Sequence, residues 1–224
     1  IKERMFERWA CMSLFEKMDP SFFTILVSKN RDIYVDLLLQ HGACILAREP
    51  LLIRYGERTL RYSCGILLCD DDIEVVELAW ATDVVDSALQ ALGDRAAHWT
   101  LVSTVSVYAR NDEPNADEAA AVVEPVDLDD YGQAKVAGER AAADRVRDRL
   151  LIVRPGLIAG PGDPSDRFGY WPGRLRRGGD VLVPEAPGLR VQVIDVDDLA
   201  DFIASAGRCG TVGVVNAVGA SLPF

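Results

Sequence analysis

The chain has 224 residues, of which 49% are hydrophobic and 26% are charged, as is typical of a globular protein. Its net charge of -11 argues against nucleic acid or an anionic membrane as the main partner, because both attract a basic surface. The five cysteines lack the paired spacing of a metal site, and this usage favours a reducing, cytoplasmic setting.

The N-terminal part of the chain has a weak alternation of strands and helices. Residues 1–19 have the spacing of an amphipathic helix, and they lack the apolar core of a signal peptide. Phe22–Val27 is predicted as a buried strand, and Ile33–Gln40 follows at helical spacing. Ala43–Ala47 and Gly65–Cys69 are predicted as two further strands, so the pattern indicates a β-α-β order.

The composition changes sharply near Asp72. Four of the five cysteines, all three methionines and three of the four lysines precede this residue. Two halves of one domain rarely differ so much, and we therefore divide the chain into an atypical N-terminal segment, residues 1–72, and a second part, residues 73–224. A fusion, a recombined gene and a diverged N-terminal half are all consistent with this change.

The second part has a more regular pattern. Strands are predicted at Val75–Trp80, Trp99–Thr104 and Leu150–Arg154, with helices at Asp83–Gly93 and from Tyr131 to about Arg147. The polar residues that precede the second helix contain two prolines and are predicted as a surface loop. Shorter elements follow: strands at Val181–Val183, Val191–Ile194 and Val212–Val215, and a helix at Val196–Ala206. Such alternation indicates an α/β fold with a parallel sheet covered on both faces.

Tyr131 and Lys135 form the most informative pair in the sequence. They lie four residues apart at the start of a predicted helix, so both side chains occupy one face. An adjacent ammonium favours the phenolate and lowers a phenol pKa that starts near ~10. We therefore expect Tyr131 to exchange a proton with a substrate hydroxyl or carbonyl, with Lys135 as the group that modifies its pKa.

Three predicted strands end next to polar or aromatic side chains. Thr104 ends one strand, Pro155 follows another, and Trp80 ends a third. Because ligands of open parallel sheets bind at the carboxyl ends of the strands, we expect these residues to meet Tyr131 at one edge. The Tyr-x-x-x-Lys spacing alone is a weak signal, and its position among these strand ends favours a functional interpretation.

With these residues assembled, residues 75–224 resemble the extended short-chain dehydrogenase/reductase family, in its NAD-dependent epimerase/dehydratase group. The resemblance covers about two thirds of the chain. It rests on five ordered segments: Val-Val-Glu-Leu-Ala-Trp80, Leu-Val-Ser-Thr-Val-Ser-Val-Tyr108, Tyr131-Gly-Gln-Ala-Lys135, Arg154-Pro-Gly-Leu-Ile-Ala-Gly-Pro-Gly-Asp163 and Val193-Ile-Asp-Val-Asp-Asp-Leu-Ala-Asp201.

The resemblance implies a Rossmann-like, doubly wound parallel sheet with a small, incomplete C-terminal substrate lobe from about residue 160. It implies an NAD(P)-dependent oxidoreductase or epimerase that acts on a secondary alcohol or carbonyl of a small, sugar-like substrate. The catalytic residues would be Thr104, Tyr131 and Lys135. The residues beside NAD or NADP would be Leu78, Ala79, Trp80, Lys135, Pro155 and Ile158. A homodimer through the two predicted helices before residue 150 is common in such folds.

Two features leave alternatives open. Members of the family carry a glycine-rich loop after the first strand, whereas Ser28–Ile33 contains no glycine, so side chains would crowd a pyrophosphate. The chain is therefore alternatively a non-catalytic binding or scaffold relative, or a recombined or truncated chain. The aromatic and basic residues 166–179 either cover a substrate or form a solvated, amphipathic flap.

Overall fold

A computed structural model of the chain describes residues 24–27, 44–48, 51–55, 58–63, 66–68, 73–110, 112–161, 163, 167–183, 185 and 188–223. The helices predicted at residues 1–19 and Ile33–Gln40 lie outside the described residues. Among the residues that are described, no helix combines the length and the apolar composition that crossing a membrane requires.

Strands and helices alternate through most of the described chain. The strands are β1 (Thr24–Val27), β2 (Cys44–Arg48), β3 (Leu51–Tyr55), β4 (Arg58–Ser63), β5 (Ile66–Leu68), β6 (Ile73–Glu77), β7 (Ala96–Val102), β8 (Leu150–Pro155), β9 (Leu157–Ala159), β10 (Arg190–Val191), β11 (Val193–Asp195), β12 (Gly213–Ala217) and β13 (Leu222–Pro223). The helices are α1 (Thr82–Leu92), α2 (Tyr131–Val146), α3 (Tyr170–Arg176) and α4 (Val196–Cys209).

The central sheet has five strands in the order β1-β6-β7-β8-β12, and every neighbouring pair is parallel. The predicted α/β fold with a parallel sheet is thus confirmed. The N-terminal segment contributes to this sheet, because Val27 pairs with Glu77 at the end of β6. Every residue of β8 is buried, as expected for an apolar strand that is covered on both faces.

Helices cover the two faces of the sheet. His98 and Ser103 are an odd number of residues apart, so their side chains point to opposite faces. The His98 ring lies 2.7 Å from the carbonyl oxygen of Thr211 just after α4, whereas the Ser103 hydroxyl donates to Glu139 of α2 at 2.5 Å. Helix α4 therefore covers one face, and α2 with its neighbour α1 covers the other, which is the doubly wound arrangement.

The strands predicted in the N-terminal segment exist, but they do not all belong to the parallel sheet. Strands β2, β3, β4 and β5 form a separate antiparallel sheet in chain order. The predicted strands at Ala43–Ala47 and Gly65–Cys69 exist as β2 and β5, but each pairs with a strand that the sequence pattern did not reveal. Two residues separate consecutive strands of this sheet, and a connection of that length permits only an antiparallel pair.

The C-terminal part differs from the prediction in two places. Residues 181–183 do not form a strand, and Leu182 is 94% exposed, so these apolar residues have no neighbouring strand or core to cover them. The predicted strand Val191–Ile194 is divided in two, because β10 pairs with β13 and β11 pairs with β9. The predicted strand at Val212–Val215 is confirmed as β12, and the helix predicted at Val196–Ala206 extends to Cys209.

Candidate active site

Side-chain hydrogen bonds join the first turn of α2 to the segment that precedes it. The Asp130 side chain caps the helix by accepting from the backbone N–H of Gln133 at 2.9 Å. The Gln133 side-chain oxygen in turn accepts from the backbone N–H groups of Val126 and Asp127, each at 2.8 Å. These bonds anchor the acidic connection to the helix, and they place Tyr131 at the first helical position.

Gly132 lets the start of α2 lie directly against the turn that follows β7. A Cβ atom placed on Gly132 would lie 2.6 Å from the carbonyl oxygen of Ser106, closer than side chains approach backbone. Ser106 belongs to the 3₁₀ turn Val105–Val107, and Thr104 caps this turn by accepting from the Ser106 N–H at 3.1 Å. The close approach therefore brings Tyr131 to the segment that carries Thr104.

Tyr131 lies among hydroxyl, aromatic and basic groups. Its side chain is 44% exposed, and its ring meets the indole of Trp80 edge-on with 6.2 Å between the ring centroids. Burial raises the pKa of the Tyr131 phenol above its usual value, while a hydrogen bond with Thr104 and the charge of Arg167 act in the opposite direction. Tyr131 is thus accessible, and it stays protonated at neutral pH.

Lys135 holds the strand ends together. Its ammonium donates to the carbonyl oxygens of Val102 at 2.7 Å, Ala79 at 2.9 Å and Leu78 at 3.3 Å, and its side chain is buried. An ammonium has three N–H donors, and these contacts join the ends of β6 and β7. The pKa of Tyr131 is raised, with burial as the largest cause, and the opposing charge is that of Arg167, so a lowering of this pKa by Lys135 stays a prediction.

The residues predicted to lie beside a cofactor fall into two groups. Leu78, Ala79 and Trp80 follow β6 and contact Lys135 or Tyr131, so the structure brings them to the same edge as Thr104. Pro155 ends β8 and pairs with Ala217 of β12. Ile158 lies in β9 and packs in the hydrophobic core, and its strand partner is Ile194.

Sequence reasoning gave Arg167 only as one of the basic residues 166–179, without its effect on Tyr131. It missed Glu139 entirely. Glu139 lies four residues after Lys135 on the same face of α2, and it pairs with Arg154. The signal for Glu139 was an arginine inside an apolar strand, because a buried charge requires a partner.

The chain is similar to known proteins in its family and in its fold. The family model for the NAD dependent epimerase/dehydratase family matches residues 69–216. A search of curated proteins found no match. Among solved structures, dTDP-4-dehydrorhamnose reductase from Yersinia enterocolitica is 15% identical with a TM-score of 0.55, and the match covers 66% of this chain and 57% of that one.

Two further solved structures have the same fold. UDP-glucuronic acid 4-epimerase from Bacillus cereus, in complex with NAD, is 18% identical with a TM-score of 0.53, and 66% of this chain covers 55% of that one. The enzyme WbmH from Bordetella bronchiseptica, in complex with NAD+, is 19% identical with a TM-score of 0.52, and 66% of this chain covers 53% of that one. The chain therefore spans little more than half the length of these proteins, and at such identities the likeness shows the fold alone.

Proposed function

The chain belongs to the NAD-dependent epimerase/dehydratase family, and from that premise we propose that it is an NAD- or NADP-dependent enzyme. In this proposal it acts on a secondary alcohol or carbonyl of a sugar-like substrate, with Tyr131 as the acid/base. The observation that carries the proposal is the position of the accessible Tyr131 phenol beside Thr104, at the carboxyl ends of the parallel strands.

The described residues at this edge fit the nicotinamide and ribose half of a dinucleotide. They supply a phenol at Tyr131, a hydroxyl at Thr104 and a flat indole at Trp80. These groups match the polar and aromatic surfaces of that half. The pyrophosphate half would approach residues 28–33, which lie outside the described residues.

The raised pKa of Tyr131 favours one direction of proton transfer, from the phenol to the substrate. A phenol that stays protonated at neutral pH is suited to donate its proton to a carbonyl oxygen. Thr104 would orient that oxygen, and Lys135 would keep the ends of β6 and β7 in place beneath it. A bound nicotinamide supplies the hydride acceptor or donor. In the alcohol-to-carbonyl direction, a positively charged ligand beside the phenol would lower its pKa and help it to accept the proton.

The substrate class is proposed from the fold neighbours. Their names concern dTDP-4-dehydrorhamnose and UDP-glucuronic acid, which are sugars attached to a nucleoside diphosphate. Both present a carbonyl or a secondary hydroxyl on a ring, which is the group that the Tyr131 phenol and the Thr104 hydroxyl would bind.

Substitution of Tyr131 tests the proposal. We expect Tyr131→Phe to lower turnover of dTDP-4-dehydrorhamnose with NADH or NADPH, or epimerisation of UDP-glucuronic acid with NAD, by roughly 10²–10⁴-fold. The dissociation constant of the cofactor should not change, because the ring remains against Trp80. Val126→Ala is the control, since the Val126 side chain lies exposed in the connection before α2 and its loss should leave full turnover. Full turnover in Tyr131→Phe would contradict the proposal.

A non-catalytic binding or scaffold protein is the second candidate. The absence of glycine from residues 28–33 favours it, because the side chains of this sequence would crowd a pyrophosphate. This candidate predicts a folded chain without saturable binding of NAD(H) or NADP(H), and with the same behaviour for the wild type and Tyr131→Phe in every turnover assay.

A further inference from the structure

A buried ion pair joins α2 to the end of β8. The Arg154 guanidinium donates from Nε to Oε1 of Glu139 at 3.0 Å and from Nη2 to Oε2 at 2.6 Å. The Ser103 hydroxyl donates to the same Oε1 at 2.5 Å. Both charged side chains are only 7% exposed. The two parallel bonds of a guanidinium and a carboxylate fix orientation as well as distance.

The ion pair continues into a wider polar network. Nη1 of Arg154 donates to the Tyr108 hydroxyl at 3.0 Å and to the Glu118 carbonyl at 3.3 Å. The Tyr108 hydroxyl donates to the side-chain oxygen of Asn216 at 2.7 Å, and the Asn216 N–H donates to the Glu118 carboxylate at 2.7 Å. The network therefore joins β8, the end of β12, the segment after β7 and the acidic connection before α2.

Stability alone does not explain a charged pair at this position. Apolar side chains of similar size are often as stabilising as a buried ion pair, since removing two charges from water is costly. Burial acts to lower the pKa of Arg154, but the hydrogen bonds with Glu139 and Tyr108 outweigh it and hold this pKa above its usual value. Arg154 thus stays charged, and what its two parallel bonds to Glu139 add is a defined geometry between the helix and the strand.

The network is attached to both halves of the candidate active site. Glu139 lies eight residues after Tyr131, with Lys135 midway, so all three occupy one face of α2. Ser103 directly precedes Thr104, and Tyr108 directly follows the 3₁₀ turn that Thr104 caps. A displacement of the ion pair would therefore move the phenol and the threonine hydroxyl relative to each other.

We propose that Glu139 and Arg154 are positioning residues of the active site, which align the Tyr131 phenol with the Thr104 hydroxyl by fixing α2 against the strand ends. The two residues act through this alignment, without touching a ligand. The inference rests on the proposed function for its effect on turnover, while its effect on Tyr131 itself is independent of any activity.

The test replaces the whole pair and leaves no buried charge unpaired. The variant Ser103→Ala/Glu139→Leu/Arg154→Met removes both charges and the hydroxyl that depends on them, so it should fold with the stability of the wild type. Glu124→Gln/Arg140→Gln is the matched control. Arg140 lies on the same helix and makes two hydrogen bonds of 3.0 Å to Glu124, but both side chains are at least half exposed.

Three measurements are compared between these variants. Urea unfolding reports the fold, steady-state kinetics with NADH and dTDP-4-dehydrorhamnose report kcat and KM, and ultraviolet titration against Tyr131→Phe reports ionisation of the phenol. In the buried-pair variant we expect kcat to fall ~10–100-fold with an unchanged KM, as loss of alignment does. The midpoint of the Tyr131 titration should rise, because the hydrogen bond with Thr104 lowers it in the wild type. The control should match the wild type in all three.

A folded buried-pair variant with the wild-type kcat and titration midpoint would overturn the inference. If that variant does not fold, Arg154→Lys decides instead, since lysine keeps the charge but cannot form the two parallel bonds. It should raise the titration midpoint, and an unchanged midpoint would overturn the inference equally. A wild type without turnover contradicts the proposed function alone, because the titration still decides whether Glu139 and Arg154 position Tyr131.

Discussion

In the proposed function the chemistry depends on the phenol of Tyr131, whose surroundings differ from those that its spacing to Lys135 indicates. Lys135 lies on the expected face of α2, but its ammonium is directed at three backbone carbonyls of the strand ends. The charge that lowers the Tyr131 pKa comes from Arg167, and burial outweighs it. The ammonium of Lys135 therefore joins the ends of β6 and β7.

Titration of the phenol tests this view at the residue scale. We expect Tyr131 in the chain alone to ionise above ~10, the usual phenol value. Thr104→Val should raise the midpoint further, because it removes a hydrogen bond that lowers it. The measurement is the ultraviolet difference between each protein and its Tyr131→Phe counterpart. A midpoint below the usual phenol value would contradict the account and restore a direct effect of Lys135.

The raised pKa of Tyr131 makes the stability of the folded protein depend on pH in alkaline solution. A group whose pKa is higher in the folded state than in the unfolded state contributes stability below the unfolded pKa, and that contribution is lost as the pH rises through the folded pKa. Tyr131 therefore contributes constantly at neutral pH, and its contribution disappears above pH ~10. Urea unfolding at rising alkaline pH should show a smaller loss for Tyr131→Phe than for the wild type.

The sequence predicts the positions of the candidate site residues better than their contacts. Thr104, Trp80 and Tyr131 were expected at one edge because strand ends of a parallel sheet meet there, and their contacts agree with that expectation. The acceptors of a buried ammonium depend on the path of the backbone, which residue spacing does not determine. For the same reason the sequence did not reveal the pairing of Glu139 with Arg154.

At the scale of elements, two glycines of α2 have opposite roles. A Cβ on Gly132 would meet the Ser106 carbonyl at 2.6 Å, so a side chain there must push the helix away from the turn that Thr104 caps. A Cβ on Gly138 would lie 3.8 Å from Val85, which is an ordinary contact. Gly132 therefore sets the position of the helix, whereas Gly138 is a replaceable helical residue.

Substitution of these two glycines by alanine gives a matched pair. Gly132→Ala should lower the free energy of unfolding by about 1–3 kcal/mol, as overpacking does, and should reduce turnover because Tyr131 moves with the helix. Gly138→Ala should raise that free energy by about 0.5–1 kcal/mol, since alanine favours a helix over glycine. Urea unfolding and the turnover assay measure both. Equal effects of the two substitutions would show that close packing at Gly132 does not position the helix.

Helix and strand positions were predictable where local signals are strong. Asp130 caps α2 and Gly93 ends α1, so both helices begin and end within a residue or two of the predicted bounds. The antiparallel strands β3 and β4 escaped prediction because they carry basic and polar residues within apolar runs. Residues 181–183 were predicted as a strand but do not form one, because an apolar run needs a neighbouring strand to pair with.

At the scale of the whole molecule, the parallel sheet explains why distant segments form one site. Neighbouring strands β6, β7 and β8 end at the same edge, and the helix between β7 and β8 begins there with Tyr131. The order of these strands follows the order of the chain, and the parallel sheet that they form was predicted from the pattern of the second part. The N-terminal part was not predictable in the same way, because its antiparallel sheet interrupts the expected alternation between β1 and β6.

The central claim is that a nicotinamide dinucleotide binds at this edge, beside Tyr131. The most direct test is a calorimetric titration of the full chain with NADH and with NADPH. The account predicts saturable binding of one dinucleotide per chain for at least one of the two, with weaker binding in Trp80→Ala because the indole that faces Tyr131 is removed. A folded chain that shows no saturable binding of either dinucleotide at millimolar concentrations would contradict the account and favour the non-catalytic relative.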